Sequence, residues 1–164
     1  MKKSLAFSTV ALLAACAGAY GPLLDEIPVG AMPLSRDTPV ERVLGTWRGR
    51  LTITPTGRCT FSGTSRPTIM TISSDGHRRF LARFIKADRS VRGTIESDFT
   101  VSGVEIGDAQ CGDAAQQKDI RRFNGRFVET PQGLMLELET DLLGCQHLGC
   151  TFHERGIFTQ LAPK

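Results

Sequence analysis

Three hydrophobic patterns follow one another along the chain. Leu5 to Ala15 form one apolar run, interrupted only by Ser8 and Thr9. Residues 17–38 have no period and are rich in Gly, Pro and Ala, which reads as a flexible tether. From Trp47 onward apolar residues recur at every second position. Trp47, Gly49, Leu51 and Ile53 alternate with Arg48, Arg50, Thr52 and Thr54. Such alternation leaves one face apolar and one wet, as a half-buried strand requires.

The same period recurs downstream. Val91, Gly93, Ile95, Phe99 and Val101 share one parity across residues 90–101, and Leu134, Leu136 and Leu138 do so across residues 133–140. Phe123 and Phe127 flank Gly125. "PTIMTIS", "RRFLARFIK" and "RGIFTQLA" complete the set. Turn signals separate the runs at Asp75-Gly76, Asp88 to Ser90, Ser102-Gly103, Pro131 to Gly133 and Gly144. Residues 106–119 read as one long polar loop. Thr38, Pro39 and Glu41 have capping-box spacing, which predicts a turn or two of helix ending before Gly45. Seven to eight short strands with almost no helix predict an all-β fold: a small antiparallel up-and-down β-barrel, alternatively a β-sandwich. Gly49, Gly93 and Gly125 are expected to relieve crowding inside a small closed sheet.

Lys2 and Lys3 precede the first apolar run, which is too short to span a bilayer. It ends Leu13-Ala14-Ala15-Cys16. That sequence resembles the lipobox of bacterial lipoproteins. The resemblance implies cleavage before Cys16 and acylation of its thiol. Ala17, rather than Asp, follows the cysteine, as in lipoproteins sorted to the outer membrane. The implied organisation is a signal peptide over 1–15, a lipidated N-terminus and tether over 16–38, and a barrel domain over 39–164. The implied membrane partner is the bilayer itself, through the anchor.

Charge and cysteines refine this picture. Removing Lys2 and Lys3 leaves 18 basic against 17 acidic groups, or +1, so no nucleic-acid partner is expected. Cys59, Cys111, Cys145 and Cys150 make an even set after Cys16. In an oxidising compartment they predict two disulfides, with three possible pairings. The favoured one joins Cys145 to Cys150 across a short loop and Cys59 to Cys111.

Gly45-Thr46-Trp47 resembles the Gly-x-Trp signature at the first strand of lipocalins, with a short helical turn before it. Thr140-Asp141-Leu142 is similar to that family's Thr-Asp-Tyr motif, with Leu142 in place of the aromatic. The resemblance implies that Trp47 plugs one end of the barrel and that Arg155 packs over it as a cation–π pair. No helical pattern follows the last strand, and the predicted strands are short, so the resemblance is to a lipocalin-like barrel rather than to the family's full pattern.

Candidate chemistry is sparse. Cys145, His147, Cys150 and His153 fall within nine residues, but an oxidising compartment favours a disulfide over zinc, so no metal and no cofactor are expected. Ser73, Ser74, Asp75 and His77 are the residue types of a hydrolytic triad crowded into one turn, which is not triad geometry, and no catalytic residue is expected. Arg78, Arg79, Arg83, Arg121, Arg122 and Arg126 offer either a basic patch or a solvated face paired with Glu96, Asp98, Glu129, Glu137 and Glu139; the second is favoured. The expected function is therefore non-enzymatic: a cell-envelope lipoprotein whose disulfide-bonded barrel binds a protein partner or plays a structural role. The alternative is a lipocalin-like carrier whose cup, lined by Phe80, Phe84, Ile95, Phe99, Leu136 and Leu138, holds a small apolar ligand.

Overall fold

A computed structural model describes residues 23–59, 62–85, 89–109, 117–142 and 149–162, without the side chains of 106–109, 117–121 and 142. Among the described residues nine strands form: β1 (Met32–Pro33), β2 (Gly45–Gly57), β3 (Thr64–Ser74), β4 (Arg79–Ile85), β5 (Arg89–Ile95), β6 (Thr100–Ala109), β7 (Gln117–Thr130), β8 (Gly133–Leu142) and β9 (Cys150–Gln160). Each strand from β2 to β9 pairs antiparallel with its neighbour in sequence, and β9 pairs back to β2. The result is a closed, eight-stranded up-and-down barrel, not a sandwich. The short β1 pairs with the end of β7, Met32 opposite Glu129.

The period-two pattern explains the interior. Leu51, Met70, Phe80, Ala82, Val91, Ile95, Val101, Phe123, Phe127, Leu136 and Phe158 all turn inward and are buried in one core. A barrel of eight strands is just wide enough for side chains to fill it. Where β2 crosses β9 there is no room for one: a Cβ at Gly49 would lie 2.0 Å from the Ile157 carbonyl oxygen. At Gly93 and Gly125 the corresponding approaches, to Ser102 and Glu137 oxygens, are 2.1 and 2.4 Å. The three interior glycines therefore allow neighbouring backbones and rings to close in.

One end of the barrel is plugged. Trp47 is fully buried there, 5.3 Å from the Phe127 ring, and its Nε1 donates to the Val43 carbonyl at 3.2 Å. Leu34 and Val43, from the segment leading into β2, join the same core. Gln160 Nε2 pins that segment by donating to the Arg42 and Leu44 carbonyls. The lead-in is a single 3-10 turn, Val40–Val43, and no side chain caps it. The expected capping box does not form; burial of Val43 and the Trp47 bond hold the turn instead.

Several sequence expectations are corrected. The run 90–101 is two strands, because Phe99 takes a left-handed conformation (φ 61°) and a turn over residues 96–99 separates β5 from β6. Parity survives the turn, so Ile95 and Phe99 both point inward. Ser102-Gly103 is strand interior, where Gly103 lies under the Phe123 ring. The polar stretch 106–119 is strand at both ends, since Ile106–Ala109 ladder onto Gln117–Ile120. Backbone hydrogen bonding there outweighs the lack of apolar alternation. The strands are also longer than expected, 13 residues in β2 and 14 in β7.

The described part of the expected tether lies against the barrel. Leu24, Ile27 and Ala31 pack on Val128, Met135 and Ile157, three apolar residues on the outer face of β7, β8 and β9. This explains why Met135, on the parity expected to be wet, is fully buried. Arg50 Nε also faces Asp25 at 3.3 Å, an ion pair without hydrogen-bond alignment.

Candidate functional site

The end opposite Trp47 carries the connections β2–β3, β4–β5, β6–β7 and β8–β9. Just inside it, three charged side chains follow the inward parity of their strands. Arg89 precedes Val91 on β5, Glu105 follows Gly103 on β6, and Glu154 precedes Gly156 on β9. Arg89 Nη2 lies 3.0 Å from Glu105 Oε2 and 3.2 Å from Glu154 Oε2, while Nε and Nη1 make further bonds to the same carboxylates. The side chains are only 12%, 11% and 3% exposed. Phe84 stacks below the guanidinium, 5.2 Å from its ring centre. Burial works against the Arg89 charge, but the hydrogen bonds it donates to Glu105 and the attraction of both carboxylates outweigh it and hold the pKa above its ordinary value.

This triad ties β5, β6 and β9 together across the barrel mouth. Below it the apolar interior is full. All six expected cup residues, Phe80, Phe84, Ile95, Phe99, Leu136 and Leu138, are buried in the core. The space left between the core and the triad is about 10 Å³, at most one water's worth. A separate cleft of about 250 Å³ beside the mouth is lined by Thr68 and Ile69 of β3, Phe84 and Ile85 of β4 and Arg89 of β5.

A disulfide also secures this end. Cys59 bonds to Cys150, joining the β2–β3 connection to the start of β9. This replaces the favoured pairings, Cys145 with Cys150 and Cys59 with Cys111. The ladder accounts for the change: Gly57 stands opposite Cys150, which places Cys59 at bonding distance. Gly57 and Gly149 both have positive φ, and a Cβ on Gly57 would meet the Gly149 carbonyl oxygen at 2.1 Å. The backbones therefore approach closely at the bridge. Cys16, Cys111, Cys145 and His147 lie outside the described residues.

The remaining candidates disperse. Arg155 stands opposite Thr52, five positions along β2 from Trp47, which faces Gln160. Its guanidinium donates to Glu137 on the outer face at 2.7 Å, so the expected cation–π pair with Trp47 does not form. At the plugged end Arg78 stacks on Phe99 instead, 5.6 Å from its ring centre, and donates to the Ile95 and Glu96 carbonyls. That contact latches the β3–β4 turn to the β5–β6 turn. Arg83 and Arg122 sit on strands separated by β5 and β6, so the arginines of β4 and β7 are not neighbours. Arg126 pairs with Glu137 and Arg42 with Glu129.

His153 contacts Asp141 at 2.9 Å on the surface, and no metal-holding cluster occurs among the described residues. Ser73 and Ser74 donate to the backbone oxygens of Leu81 and Gly76, and His77 is exposed in the turn. These observations define a disulfide-bonded, closed antiparallel barrel with a filled core and a charged mouth. Comparisons with protein-family models, curated proteins and solved structures give no match.

Proposed function

We propose that this protein is a lipid-anchored protein of the bacterial envelope, non-enzymatic, whose barrel serves as a rigid module presenting its loop-bearing mouth to a protein partner. The packing of Leu24, Ile27 and Ala31 onto Val128, Met135 and Ile157 carries the reading. It seats the chain from Leu24 to Ala31 on the barrel wall. Those outer-face residues lie near the plugged ends of β7, β8 and β9. Only residues 16–22 then separate an acylated Cys16 from the docked segment, a reach of at most about 25 Å. Such a leash keeps the plugged end toward the membrane and the mouth away from it. The filled interior supports a surface-acting protein over a carrier with a central cup.

The deciding experiment is the intact mass of protein extracted from membranes of a bacterial host, beside a Cys16→Ala variant. The expected result is a chain beginning at Cys16 with added acyl mass, and a variant lacking that mass and released from membranes. An unacylated wild-type chain, soluble without detergent, would overturn the anchored reading.

A further inference from the structure

The chain from Ile27 to Leu34 reads Ile-Pro-Val-Gly-Ala-Met-Pro-Leu, a stretch with no polar or charged side chain, set between Asp25-Glu26 and Ser35-Arg36-Asp37. The barrel takes up part of it. Ile27 and Ala31 pack on the outer wall, and Leu34 enters the core. Val29 and Met32 stay outside. At 104% and 64% they are the most exposed large apolar side chains among the described residues.

Their place in the fold is specific. The Ala31 N–H donates to the Pro28 carbonyl at 3.2 Å and Gly30 has a φ of 88°, so Val29 and Gly30 form the tip of a tight turn. β1 runs antiparallel to β7, with Pro33 opposite Val128 and Met32 opposite Glu129. Traced back from Met32, the chain therefore follows the end of β7 toward the β7–β8 turn, where Pro131 and Gln132 are exposed. The tip thus stands at the plugged end of the barrel. The charges around it are matched. Glu129 pairs with Arg42, Asp25 faces Arg50, and Glu26 attracts Arg155.

We infer that Val29 and Met32 enter the surface of a bilayer, making this turn a second, non-covalent lipid contact beside Cys16. The inference rests on the lipid-anchored reading above. Residues 16–22 span at most about 25 Å, so an anchor at Cys16 holds the tip within reach of the same leaflet. Two side chains on a turn are too few for a stable protein interface, which covers about 800 Å² on each partner. A bilayer sets no such minimum. Apolar groups settle about 5–10 Å into the boundary between headgroups and acyl chains, and each one adds to the affinity. The anchor supplies the local concentration that keeps so small a contact populated. The contact also gives the barrel an orientation. A leash alone lets it rotate, whereas leash and tip together hold the plugged end down and the mouth outward.

The test reads oxidation of Met32 by chloramine-T, a charged oxidant that stays in water. Met70 and Met135 are buried and serve as internal controls. The chain carries a hexahistidine tag in place of residues 1–16 and is held on phosphatidylethanolamine–phosphatidylglycerol vesicles by a nickel-chelating lipid. Imidazole releases it to give the solution rate. Peptide masses are expected to show Met32 sulfoxide forming at least about fivefold more slowly on the vesicles than in solution. Acylated protein extracted from membranes and reconstituted in the same vesicles should show the same protection. Val29→Asp alters a fully exposed side chain, so Trp47 fluorescence should stay native while the bound rate returns to within about twofold of the solution rate. Equal rates on and off the vesicles, or protection that survives Val29→Asp, would overturn the inference. So would protection without vesicles that grows with protein concentration, which would assign the tip to a second copy of the chain. Because the tag supplies the tether, an unacylated Cys16 beside a protected Met32 would remove the covalent anchor and leave the lipid contact standing.

Discussion

Replacing Arg89 by Met removes the cation that, among the described residues, lies between two buried carboxylates. At about 4 Å and an effective dielectric near 20, each pair contributes about 4 kcal/mol of gross attraction. Desolvation of three charges and repulsion between Glu105 and Glu154 offset much of that in the native protein. Removing the cation alone leaves the repulsion and the desolvation in place, and the expected loss is about 3–5 kcal/mol. For a chain of this size that lowers the Tm by about 10–20 °C. Trp47 is the single tryptophan and is fully buried at the far end of the barrel, so its fluorescence reports global unfolding in urea.

The triple variant Arg89→Met/Glu105→Gln/Glu154→Gln removes the stranded charges as well and should recover most of the loss. A loss below about 1 kcal/mol in Arg89→Met, or a triple variant no better than the single, would refute the view that this triad is a coupled buried cluster.

Gly49→Ala should cost at least about 3 kcal/mol or prevent folding, since its Cβ would overlap the Ile157 backbone; the urea midpoint checks this. Cys59→Ser opens a link between residues 91 apart and should cost about 2–5 kcal/mol, read from the same transition with and without reductant. Peptide mapping of the oxidised protein should recover Cys59 joined to Cys150, leaving Cys111 and Cys145 as the other two of the four. The Glu137 carboxyl is held below its ordinary value near 4.5, chiefly by the hydrogen bond from Arg155. Its contribution is therefore full above that value and is lost as pH falls through the lowered one. With both arginines about half exposed, the effect should stay under about 1 kcal/mol, and Glu137→Gln should flatten the stability profile below pH ~5.

The barrel was legible because its interior is written in a single period. Leu51, Ile95, Phe123 and Leu136 each sit in phase with small or apolar neighbours two residues away, and closing the sheet only had to bring those faces together. The closure of β9 onto β2 was not written locally. It depends on Gly49 and Gly156, whose missing side chains let the backbones meet around the Phe158 ring. The disulfide was misjudged for the same reason. Sequence proximity favoured Cys145 with Cys150, while the register of two strands far apart in sequence set Cys59 beside Cys150.

The candidate site left a signal that composition hides. Arg89, Glu105 and Glu154 look like ordinary surface charges until their parity is counted. Each continues the buried phase of its strand: Arg89 with Val91 and Ile95, Glu105 with Val101, and Glu154 with Phe158. Arg155 shows the converse. It was assigned to the interior on resemblance, yet it stands one residue out of phase with Glu154 and faces Glu137 outside. Phase therefore separates the charges that organise the barrel mouth from those that solvate its wall.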